Sequence, residues 1–97
     1  MKNRMETARQ ILRDAAAEFL AREAGPQSLI TVTRAELSSD FSHATVYLSV
    51  LPAEKAAAAL GLADRNVVGL KKYLKDHTKL PRAPHIEFAL EKESEVR

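Results

Sequence analysis

The sequence contains no cysteine and no tryptophan, only three glycines, and just two tyrosines and three phenylalanines in 97 residues. Without cysteine there is no disulfide, no thiolate metal centre and no Cys nucleophile. Gly25, Gly61 and Gly69 never fall into a GxGxxG or phosphate-loop spacing, so a glycine-rich cradle for a nucleotide is excluded. Phe19, Phe41, Tyr47, Tyr73 and Phe88 are too scattered to form the grouped aromatic platform on which single-strand binders stack bases. No uncharged stretch approaches the roughly 18 residues of a membrane span, and none follows the N-terminus as a signal would. A cytoplasmic location is the expectation.

The histidines are equally uninformative as local motifs. His43, His77 and His85 form neither H-x-x-x-H nor H-E-x-x-H, which leaves no metal ligand set to be read from spacing. Ser42 and His43 are neighbours in the chain, which does not place a hydroxyl and an imidazole as nucleophile and base. Glu91, Glu93 and Glu95 lack aspartate partners at cation-site spacing and read as a solvated tail. The expectation is therefore no catalytic residue, no metal, no cofactor and no small-molecule substrate.

What is present is a globular composition, 45% apolar and 29% charged. A chain of 97 residues supports one core and no second module. Its formal net charge is only +2, but the charge is unevenly placed. Residues 1–13 hold Lys2, Arg4, Arg9 and Arg13 against Glu6, and residues 71–85 hold Lys71, Lys72, Lys75, Lys79 and Arg82 against Asp76. Residues 87–97 are net acidic. Clustered cations of this kind suit a polyanion, because binding releases counterions condensed on phosphates. As ordinary surface, the same lysines would simply be a solvated helix face.

Hydrophobic periodicity gives the elements. Met5, Ala8, Leu12, Ala15, Phe19 and Leu20 recur at three- and four-residue steps and predict a helix over 5–23, closed by Gly25 as a C-cap glycine before Pro26. Residues 44–50 alternate as a half-buried strand, and Ile86, Phe88 and Leu90 alternate in another. The first strand, 29–37, changes parity: Ile30 and Val32 lie on one face, Ala35 and Leu37 on the opposite one. A single β-bulge near Thr33-Arg34 would return all four to one face. Ser38-Ser39-Asp40-Phe41-Ser42 then makes a five-residue hairpin loop, with Ser38 and Asp40 bonding the turn backbone. Beyond Pro52 a helix is expected over 53–60, broken at Gly61. A second helix is expected from Asp64 as N-cap to about Leu80, with Val67, Leu70 and Leu74 buried and Pro81 as the stop. Tyr47 points away from the core parity, as a base platform or a cross-strand filler. Gly69 is read as either a kink or a close-packing position.

The order helix–strand–strand–helix–helix–strand is that of the type II KH-like fold, an α+β arrangement with helices on one face of a three-stranded sheet. The hairpin block resembles the ribosome-binding factor A family, whose signature is of the form TVTxVxxSxDLxxAxVYxS. Thr31, Val32, Thr33, Ser38, Asp40, Ala44, Val46, Tyr47 and Ser49 match as they stand, with Ala35 for the usual Val and Phe41 for the usual Leu. A second block, Leu80 to Phe88, resembles the family's basic LRxxPxLxF segment, with Pro81 replacing a basic residue. The family's Ala-x-Gly kink falls on Asn66-Val67-Val68 in an ungapped register, with Gly69 one place late and Lys71 where an arginine is usual.

The resemblance implies a non-catalytic assembly factor, a monomer, that binds the immature small ribosomal subunit and its 16S rRNA and supports rRNA processing. It implies one KH-like RNA-binding domain over residues 1–92, followed by a short acidic tail over 93–97. The residues expected at the RNA are Arg65, Lys71, Lys72, Lys75, Lys79 and Arg82, with Arg4, Arg9 and Arg13 as a second patch. Phosphate contacts position a protein without reading sequence, so folded RNA shape would supply specificity. Two alternatives stand beside this reading. One is a protein–protein adaptor without RNA contact; the other is a small hydrolase using Asp40 and His43.

Overall fold

The computed structural model describes residues 3–25, 28–80 and 83–91. Helix α1 spans Arg4–Glu23, strand β1 Leu29–Leu37 and strand β2 His43–Leu51. A short 3-10 turn over Ala53–Lys55 leads into α2, Ala56–Arg65, and α3, Val67–His77; strand β3 is His85–Leu90. The sheet order is β1-β2-β3, with β1 antiparallel and β3 parallel to the central β2. A parallel neighbour requires a crossover of a dozen or more residues, and the two helices supply it. The expected α+β order of elements is the one observed.

Strand β2 shows why the helices gather on one side. Ala44, Val46, Leu48 and Val50 are buried, while Thr45, Tyr47 and Ser49 between them are only half-covered. α1 lies over β1, α2 over β3 and β2, and α3 beside α1. Leu12 and Leu20 of α1, Val46 and Leu48 of β2, and Leu70 and Leu74 of α3 are the largest fully buried side chains. They belong to a single cluster, so the apolar stripes of helix and strand converge on one core.

The bulge is where the parity change requires it. The β1–β2 register shifts between Val32 and Arg34, leaving Thr33 unpaired. Val32 and Ala35 are consequently both buried, with Ile30 and Leu37 packed against the same cluster. The Thr33 hydroxyl, freed from the ladder, donates to Glu91 Oε1 at 2.8 Å on the open side of the sheet. That bond, with help from Arg34, holds the Glu91 carboxyl below its usual range.

The Ser38–Ser42 loop is locked by its own side chains. Asp40 Oδ1 accepts from Ser38 Oγ at 2.8 Å, from the Ser42 amide at 3.0 Å and from Ser42 Oγ at 2.7 Å. Ser38 Oγ in turn accepts from the amides of Ser42 and His43. Hydrogen bonds to the charged form lower the Asp40 pKa to about 2, led by that from Ser42. Phe41 completes the turn in the left-handed region at φ 66°.

Helix boundaries depart from expectation in four places. α1 starts at Arg4, because the Asn3 side chain caps the Glu6 amide at 2.7 Å; the Asn-x-x-Glu spacing carried that signal. It does not end on a left-handed glycine. Ala24 is extended, no described glycine has positive φ, and a residue preceding proline is biased toward extended backbone. α2 runs straight through Gly61 and contains Asp64, so neither the break nor the N-cap lies where expected. The break is Asn66: its Nδ2 donates back to Leu62 O at 2.8 Å, while its carbonyl accepts from Leu70 and starts α3. α3 stops at His77, short of Leu80, because Thr78 turns extended and its hydroxyl donates to the Leu74 carbonyl at 2.6 Å.

The buried stripe of α3 is also rotated. Tyr73 is buried beside Leu70 and Leu74, whereas Val67 is half-exposed in the first turn after the break. Tyr73 packs obliquely on Phe19 at 5.8 Å, and its hydroxyl donates to Glu18 and accepts from Arg22. Gly69 is a close-packing position, not the kink: a β-carbon there would stand 3.1 Å from Phe19 Cζ.

Candidate nucleic-acid interface

Three lysines of α3 border one groove. Lys71, Lys72 and Lys75 rim a hollow of about 560 Å³ whose apolar floor is Leu74, Leu80 and Ala83. Burying Leu70, Tyr73 and Leu74 against α1 turns the opposite side of α3 to solvent, and this is the side that carries the lysines. Lys72 is 77% exposed and pairs with Asp76 across one helical turn at 2.9 Å. That contact lowers the Asp76 pKa. Such an exposed pair is weak, so the ammonium remains available to a phosphate.

Lys79 lies past the end of α3 and reaches a neighbouring hollow of about 380 Å³, which it lines with Arg4, Thr7 and Phe41. Leu80 borders both hollows, so the cations of α3 and the N-terminal end of α1 lie along one continuous strip. Arg65 is exposed at the end of α2, beside the Asn66 break. Arg82 and the acidic tail over 93–97 lie outside the described residues.

Arg9 and Arg13 do not join that strip. A five-residue step along a helix turns through about 140°, and Arg9 and Arg13 accordingly line a separate hollow with Glu6, Gln10 and Arg34, where α1 crosses β1. Carboxylates offset the charge there. Arg13 pairs with Asp14 at 2.9 Å. Arg34 contacts Glu36 and Glu91 while its guanidinium covers the Tyr47 ring at 3.8 Å. Tyr47 is therefore a cross-strand partner for arginine. One face of its ring is covered by that guanidinium.

One residue was not anticipated. Val68 is 79% exposed, and it sits four and seven residues before Lys72 and Lys75, which places it on the same face of α3 just beyond the break. Its helical spacing from the lysines was legible, and the break that exposes it lies at Asn66, within the Asn66-Val67-Val68 register of the family's kink.

The Asp40–Ser42–His43 cluster has the wrong order for hydrolysis. The serine hydroxyl gives its proton to the carboxylate, and His43 Nδ1 meets Ser42 Oγ at 2.9 Å from the other side. A nucleophile needs its proton directed to the base, with the carboxylate behind that base. This constellation closes a turn.

The family model described as ribosome-binding factor A matches residues 3–96. The crystal structure of ribosome-binding factor A from Thermus thermophilus is similar at 26% identity and TM-score 0.79, over 89% of this chain and 93% of that one. A solution structure from Thermotoga maritima, described as a putative ribosome binding factor A, is similar at 26% identity and TM-score 0.75. It covers all of this chain and 97% of its own. A Thermus thermophilus ribosome binding factor A homology model, fitted into a cryo-EM map of a 30S complex, gives 29% identity and TM-score 0.76. The overlap is 96% of this chain and 98% of that one. No curated protein matches the sequence.

Proposed function

We propose a function from the premise that this chain belongs to the ribosome-binding factor A family: it is a non-catalytic factor that binds the immature small ribosomal subunit and supports maturation of 16S rRNA. The observation that carries the reading is the strip running from Lys71, Lys72 and Lys75 to Lys79 and Arg4. A row of exposed ammonium groups over an apolar floor suits phosphates along the edge of a folded RNA. The related Thermus protein's place in a 30S complex supports the small subunit as partner. Lysine contributes point charges without arginine's bidentate fork, which favours positioning on a surface over a fixed phosphate geometry. A cluster of this size also leaves binding reversible, as a factor that departs before translation requires.

The test is sedimentation with purified small subunits. Replacing Lys72, Lys75 and Lys79 with glutamate abolishes co-sedimentation while the circular dichroism spectrum is unchanged. Retained binding would instead support an adaptor that docks on a protein component of the subunit. With the wild-type protein, affinity falls as salt rises, and each phosphate contact removed reduces the log–log slope by about 1.

A further inference from the structure

We propose that His43 and His85 together form a binding site for a divalent transition-metal ion with imidazole preference, Zn²⁺ being the representative. The two residues stand far apart in the chain, but the parallel pairing of β2 and β3 makes them register partners at the first position of each strand. Both are exposed, and their ring centroids are 5.6 Å apart. With Zn–N bonds of about 2.0–2.1 Å, two imidazoles on one tetrahedral ion have centroids roughly 5 Å apart. The observed centroid spacing is close to that of a chelating pair.

The surrounding hydrogen bonds prepare one of the two rings. Ser42 Oγ donates its single proton to Asp40 Oδ1 at 2.7 Å, and the carboxylate that accepts it is ionised across the physiological range. The 2.9 Å contact between His43 Nδ1 and Ser42 Oγ therefore has the imidazole as donor. With the proton fixed on Nδ1, the Nε2 lone pair is left free for a metal. This is the outer arrangement that orients ligating histidines generally, a held N–H on one side and a lone pair on the other. The main chain adds rigidity, since the His85 amide donates to the Ser42 carbonyl at 2.8 Å. His77 makes an internal contrast: its Nδ1 lies 3.1 Å from the Tyr73 carbonyl, its ring stacks on Tyr73 at 4.2 Å, and no second histidine stands near it among the described residues.

Among the described residues no group of three or more His, Cys, Asp or Glu side chains could enclose a metal ion. The proposed site is therefore open, with water completing the coordination sphere. Its affinity is far below that of a four-ligand structural zinc centre.

The experiment titrates zinc chloride into the tag-free full chain and follows the imidazole proton signals of all three histidines by NMR. The expected result is that the signals of His43 and His85 move together and saturate at one equivalent of bound zinc, while those of His77 stay in place. His43→Asn and His85→Asn each weaken binding at least about tenfold, and His77→Asn leaves it unchanged. Both substituted positions are exposed, and thermal melts establish that each variant folds. Absence of saturation up to millimolar zinc, equal responses from all three histidines, or undiminished affinity in His85→Asn would overturn the proposal.

Discussion

Two glycines show how the same substitution can have opposite consequences according to what lies beside it. Gly61 is inside α2, and a β-carbon there meets only the far end of the Arg65 side chain at 3.3 Å. Since glycine inside a helix costs about 1 kcal/mol relative to alanine, Gly61→Ala raises stability by about 0.5–1 kcal/mol in urea denaturation. Gly69 backs onto Phe19, a core ring with little freedom to retreat. There the same change overpacks the α1–α3 contact by about 1–3 kcal/mol, exceeding the helix gain, and the urea midpoint falls. Asp40 is the other residue whose effect can be foretold. Its folded pKa, about 2, lies below the ordinary aspartate value, so its contribution is complete above roughly pH 4. That contribution is lost as pH falls through about 2. Asp40→Asn therefore lowers stability at neutral pH and narrows the difference from wild type toward pH 2, as acid titrations of the melting temperature would record.

At the scale of elements, β1 is the sharpest case. Its parity change was visible in the apolar pattern alone, and Thr33 absorbs it as the unpaired residue. Deleting Thr33 would leave the pairs Val32–Leu48 and Arg34–Tyr47 adjacent, a regular strand with Ile30, Val32, Ala35 and Leu37 still on the core face and the Thr33 bond to Glu91 lost. The deletion variant should therefore keep a cooperative thermal transition, read by circular dichroism, whereas deleting Arg34 together with Thr33 would put Ile30 and Val32 on the opposite face and should abolish it. The strands and hairpin were legible because their period and loop chemistry are local. The α2–α3 break was not legible from propensity, although the ungapped family register had placed the kink on Asn66-Val67-Val68, where it lies. Gly61 is a good breaker by propensity and Asp64 a good N-cap, but α2 packs on β2 and β3 and keeps its helix through both. The backbone yields instead at Asn66, whose side chain can bond the Leu62 carbonyl. The same shift moved Val67 outward and brought Tyr73 into the core.

Across the whole molecule, the cations divide into two flanks of α1 that differ in how many are held in direct ion pairs. The α3 flank gathers Lys71, Lys72, Lys75, Lys79 and Arg4; Asp76 lines the hollow of the first three, and Lys79 also borders Asp14 and Glu18 where α3 meets α1. The β1 flank holds Arg9, Arg13 and Arg34 among Glu6, Asp14, Glu36 and Glu91. Replacing Arg9 and Arg13 with glutamate should therefore weaken small-subunit binding far less than reversing the α3 lysines. The salt slope should change correspondingly little. Matched sedimentation assays at two salt concentrations compare the two sets directly.

The amino-acid order alone determined the features that depend on near neighbours: the alternation of β2, the stripe of α1, the Ser–Asp turn and the bulge. It also carried enough of the hairpin block to point to the family. Only the folded chain decided which distant groups meet. Helical rotation separated Arg4 from Arg9 and Arg13, packing on Phe19 made Gly69 a contact position and left the kink to Asn66, and parallel pairing set His43 beside His85. Periodicity records which way a side chain faces within its element. The position of one element against another follows from the packing of every buried surface at once.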